Sequence, residues 1–186
     1  MRFPPLLLAP LNMNFPHSLR RLTLPALALA AFTAGGPAWA GPDNVPFKAS
    51  AQTQEVLGFD PVRCPGTFLV GTTTGKGNSS PMGAISVVAT DCPVTQDGVN
   101  YSFSNGVLTI TAANGDTLTA SYQGSLQPNA TTGLHSLAGN YSVTGGTGRF
   151  ANAAGSGSLQ GTLNLTTQPA QGQLDMSGLL TYLTRP

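Results

Sequence analysis

Charge is what this chain has least of: Asp, Glu, Lys and Arg together make up 8% of its 186 residues. Eight basic residues face seven acidic ones, and three of the basic ones (Arg2, Arg20, Arg21) lie in the first 40 positions. The remainder is slightly acidic, which gives nucleic acid no electrostatic hold and argues against it as a partner. After residue 40 no apolar run approaches the roughly 20 residues that a membrane helix needs, so membrane insertion is not expected. Histidine is equally scarce. Of two in the chain only His135 lies beyond residue 40, too few nitrogen ligands to build a metal centre with two cysteines. A helical period is also missing: beyond residue 40 no stretch keeps a 3.6-residue repeat through two turns, and only Gly148 to Ala154 has the makings of one short helical turn.

The first 40 residues read as an export signal. Arg20-Arg21 forms a positive region, Leu22 to Thr33 is uncharged and apolar, and Ala38-Trp39-Ala40 offers small residues for cleavage before Gly41. Met13 begins a signal of more ordinary length than Met1 does. The expected location after cleavage near Ala40-Gly41 is periplasmic or extracellular. An oxidising compartment makes a Cys64–Cys92 disulfide the simple expectation, worth roughly 2–4 kcal/mol by loop closure. Free thiols, or metal or redox use, are the alternatives.

Residues 41–65 carry prolines at 42, 46, 61 and 65 and read as an extended lead-in, with the main domain over 66–186. From Gly66 onward the period is two. Leu108, Ile110 and Ala112 share one face and Thr109 and Thr111 the other. After Asn114-Gly115, a strong hairpin turn, Leu118, Ala120, Tyr122, Gly124 and Leu126 resume the apolar face. Leu159, Gly161, Leu163 and Leu165 repeat the pattern, and so do Leu174, Met176, Gly178, Leu180 and Tyr182. Seven or eight strands with thin connections predict an all-β fold, a small antiparallel β-barrel, with a β-sandwich as the alternative.

Chemistry is harder to find. Acid–base work needs two ionisable groups near one centre, and no carboxylate falls at an inward position of a clearly patterned strand. Asp97 and Asp116 lie at turns, Asp175 on a polar face, and His135 in a Gly- and Thr-rich connection. The Gly145–Gly157 cluster lacks the full helix and the Lys-Ser/Thr of a phosphate loop. It reads instead as a structural corner of Gly146, Gly148 and Phe150, with Phe150 plugging the barrel and Arg149 exposed or paired to a carboxylate. No cofactor or metal site is expected, and no catalytic residue can be assigned.

Asn114-Gly115-Asp116-Thr117-Leu118, Tyr122-Gln123-Gly124 and Gly139-Asn140-Tyr141-Ser142-Val143-Thr144-Gly145-Gly146-Thr147-Gly148-Arg149-Phe150-Ala151 resemble bacterial secreted domains related to the allene oxide cyclase-like and dirigent-like barrels. The resemblance covers about residues 66 to 184 and is sharpest over 114–157. It implies eight strands, a homo-oligomer and a hydrophobic small molecule held inside the barrel. No family active-site residue can be matched to a position here.

The sequence therefore supports first an exported β-barrel domain of non-catalytic role. The alternatives are a cyclase- or dirigent-like protein holding a hydrophobic small molecule and an extracellular binding or surface-interaction module. In the second case Leu118, Tyr122, Leu163, Leu180 and Tyr182 would line the pocket.

Overall fold

Eight antiparallel strands account for most of residues 43–182, the part of the chain that the computed structural model describes. They are β1 (Asp43–Phe59), β2 (Leu69–Ser80), β3 (Gly83–Thr95), β4 (Tyr101–Ala112), β5 (Thr117–Asn129), β6 (Leu134–Gly146), β7 (Ala154–Asn164) and β8 (Ala170–Tyr182). Each pairs with its sequence neighbours, and β8 pairs with β1, so the sheet closes into an up-and-down barrel. Closure gives every strand a partner on both sides and removes the open edge that invites aggregation. The export signal expected over residues 1–40 lies outside the described residues.

The lead-in expected over 41–65 is instead largely strand. β1 is the longest of the eight and pairs along most of its length with both β2 and β8. The barrel thus begins at Asp43, not at residue 66. Its inward positions Phe47, Ala49, Ala51, Thr53 and Glu55 do alternate, but small and polar side chains among them blur the hydrophobic period.

Eight strands enclose a space that side chains can just fill, and at one end they do. Phe47, Ile85, Ile110, Leu118, Leu180 and Tyr182 belong to one buried cluster there. The connection after β6 closes that end with a 3₁₀ turn, Gly148–Phe150. Phe150 is 0% exposed, and its ring centre lies 5.0 Å from that of Tyr182. Gly148 holds φ at +57° beside the Asp116 carboxylate, where any β-carbon would collide with that group. Arg149 leaves the turn to donate to Pro81 O at 2.9 Å and to pair with Asp116 at 4.0 Å. The corner reading of Gly146, Gly148 and Phe150 agrees with this packing.

Toward the other end the filling changes. Here β1, β2 and β3 turn small or polar residues inward: Thr53 and Glu55, Gly71 and Thr73, Ala89 and Asp91. Only a smaller cluster around Phe103, Leu126, Leu163 and Ala170 faces them. That imbalance of side-chain volume leaves the barrel open at this end.

A disulfide joins Cys64, in the β1–β2 loop, to Cys92 on β3. Because Asp91 and Pro93 face the interior, Cys92 points to the outer wall, where the loop covers it and leaves it 4% exposed. No helix among the described residues is long and apolar enough to cross a membrane.

Candidate site at the open end of the barrel

Under the open end lies a narrow cavity of about 60 Å³, walled chiefly by apolar side chains, among them Phe103, Leu108, Leu126, Leu159 and Leu163. It opens into a vestibule of about 460 Å³ bounded by the β1–β2 loop and the ends of β3 and β8. Glu55, Pro93, Tyr101, Leu126 and Leu163 line both spaces. Glu55 therefore stands at the throat.

Two carboxylates meet there. A β-carbon built on Gly71 would lie 2.9 Å from Glu55 Oε1 and 2.9 Å from Asp91 Oδ1. The missing side chain of Gly71 is thus the space that the two acids share. Tyr122, across the cavity on β5, donates its hydroxyl to Asp91 Oδ2 at 2.7 Å.

Such a pair in apolar surroundings cannot ionise freely. Burial first, and then the charge of Asp91, pushes Glu55 from 4.5 up to about 7. Burial also raises Asp91, while the Tyr122 hydroxyl and the charge of Arg63 pull it back down. Burial and the neighbouring Asp91 hold the Tyr122 proton far above the ordinary phenol range, so Tyr122 remains a donor. Glu55 therefore titrates near neutral pH, beside an Asp91 whose charged form is favoured by the Tyr122 hydroxyl and by Arg63.

No carboxylate was expected at an inward position of a clearly patterned strand, yet Glu55 and Asp91 both face the interior. Asp91 escapes a parity reading because the clear alternation Ile85, Val87, Ala89 stops two residues before it. Glu55 escapes because its segment reads as a lead-in. Asp97 and Asp175 lie where expected, at a turn and on the polar face of a strand. Asp97 Oδ1 caps the β3–β4 loop by accepting from Val99 N and Asn100 N, and Asp60 Oδ1 accepts from Val62 N and Arg63 N. Asp175 accepts from Gln173. His135, expected in a connection, instead lies within β6, with Nε2 at 3.2 Å from Val99 O.

Of the five residues expected to line a pocket, Tyr122 and Leu163 do so. Leu118, Leu180 and Tyr182 do not: they are packed into the filled end. All five share the inward parity, but parity along a strand does not tell which end of the barrel is hollow. That depends on the bulk contributed by the other strands at the same height. Among the described residues no group of three or more His, Cys, Asp or Glu could hold a metal ion.

No family model and no curated protein matches the sequence. A solved structure that does match is that of a pterocarpan synthase dirigent protein. It is 13% identical, with 83% of this chain and 99% of that one covered, at a TM-score of 0.45.

Proposed function

We propose that the open end of the barrel binds an apolar small molecule and that Glu55 and Asp91 move a proton on it, in an isomerisation or cyclisation needing no cofactor. The observation that carries this reading is the convergence of two carboxylates over Gly71 in a mainly apolar cavity. The vestibule is of the size that small-molecule sites occupy. Its apolar wall favours a neutral, water-poor ligand, and the narrow inner cavity admits only a small part of it.

Glu55, as the acid, gives its proton to the ligand while the Asp91 carboxylate takes one from another atom of it. Direct passage between the two carboxyls, which share the space over Gly71, then returns the proton to Glu55. General acid–base catalysis works best when the group titrates near the working pH, and Glu55 at about 7 meets that condition. Export, expected from the N-terminal residues, would place this activity outside the cytoplasm. Binding without chemistry is the second reading, favoured by how little room the inner cavity leaves beside the acids.

Two probes separate them. Phenylnaphthylamine, apolar and fluorescent, should bind the protein with micromolar affinity. α-Tetralone in heavy water should exchange its acidic C–H protons faster with wild type than with Glu55→Gln or Asp91→Asn. Probe binding with exchange insensitive to both substitutions would leave a binding protein only. Failure of phenylnaphthylamine to bind would remove the pocket reading altogether.

A further inference from the structure

β3 and β4 lose register where Asp91 stands. Thr90 pairs with Val107 and Cys92 with Ser104, leaving Asn105 and Gly106 opposite Asp91. Asn105 adopts φ +52°, a left-handed conformation that Asn tolerates better than most residues. A bulge of this kind interrupts the ladder and re-aims nearby side chains. Arg63, from the β1–β2 loop, bridges the break: its Nη2 donates to Thr90 O and to Asn105 O, each at 2.9 Å. The loop that carries Arg63 is itself tied down. Cys64 is bonded to Cys92, its Sγ lies 3.7 Å from Asp91 O, and Arg63 N donates to Asp60 Oδ1 at 2.9 Å.

We propose that Arg63, tethered by the Cys64–Cys92 disulfide, is a positioning residue for the carboxylate pair: it clamps the backbone around Asp91 and sets a positive charge behind that carboxylate. The assignment rests on Glu55 and Asp91 being the working pair. Arg63 does not line the cavity or the vestibule, and acts through the wall. Among the described residues, the ionisable groups around Asp91 are Glu55 from β1, Tyr122 from β5, Tyr101 from β4 and Arg63 itself. β2 contributes Gly71 and Thr73, and the lining residues of β6, β7 and β8 are uncharged. Arg63 is the only cation in that set. Its charge draws Asp91 and Tyr122 down, whereas Glu55 is governed by burial and by Asp91.

The test is a carbon-13 NMR titration of the two carboxyls in the full chain. Arg63→Met should raise the Asp91 midpoint by about one pH unit. It should leave that of Glu55, which burial and Asp91 govern, within a few tenths of a pH unit of wild type. Arg63→Lys keeps the charge and should hold both midpoints within a few tenths of a pH unit of wild type. A clamp that merely kept the wall tight would behave differently: loosening admits water, relieves desolvation and lowers both midpoints together. That result, an unchanged Asp91 midpoint in Arg63→Met, or equal changes in Arg63→Lys would each overturn the assignment. Phenylnaphthylamine binding on the same samples reports separately on the pocket, so loss of that reading is distinguishable from loss of this one.

Discussion

Replacing Glu55 by Gln should make the protein more stable at alkaline pH and leave it nearly unchanged at acid pH. Burial raises the Glu55 carboxyl from 4.5 to about 7 in the folded protein. A carboxyl raised in this way favours the fold fully below its unfolded value, and that contribution is lost as pH climbs through the folded value. The window is therefore 4.5 to about 7. Each pH unit between the unfolded and folded values is worth about 1.4 kcal/mol, so wild type should lose about 3 kcal/mol across the window. For a domain of this size that is a fall of about 10 °C in Tm. Asp91 is raised as well and adds to the slope. Gln cannot ionise, so the Glu55→Gln variant keeps only the Asp91 part. The assay is thermal melting by circular dichroism at about pH 4 and about pH 8.5, on either side of the window. Equal pH dependence in wild type and variant would refute the burial argument and with it the acid at the throat.

Gly71→Ala tests the shared space directly. Its new methyl meets only the ends of two flexible side chains, so it should change stability by about 1 kcal/mol or less. It should nonetheless push the acids apart and lower the Glu55 midpoint, read by the same carboxyl titration; an unmoved midpoint would show that the acids do not depend on that space. At the other end, Phe150→Ala should cost about 3–5 kcal/mol in a denaturant melt, since a fully buried ring leaves a cavity behind. Arg149→Ala should cost about 1 kcal/mol or less, because its ion pair is partly exposed. Similar small losses at both positions would defeat the plug account of the closed end.

Much of the architecture follows from local rules in the chain. Alternation of Leu108, Ile110 and Ala112 with threonines, and the Asn114-Gly115 turn after them, determine a hairpin wherever that segment lies, because side chains on a strand alternate faces and the turn residues accept positive φ. The same logic extends to β7 and β8, and the shortness of the links requires neighbouring strands to pair. Cys64 and Cys92, alone in an otherwise cysteine-free chain, had no other disulfide to make. The site was decided elsewhere. Glu55, Gly71 and Asp91 sit on three strands, and nothing within any one strand signals that they share a height in the barrel. Their meeting depends on the registers of β1 with β2 and β2 with β3, in which Glu55 faces Thr73 and Gly71 faces Asp91. Whether the interior is filled or hollow is likewise a sum over eight strands at each level. Leu118 and Leu163 have the same parity, yet one meets Phe150 and its neighbours and the other borders open space. Burial then sets the acidity: a carboxyl carries its ordinary proton affinity in sequence, and only desolvation by the closed sheet, with a second carboxylate beside it, turns Glu55 into an acid at neutral pH.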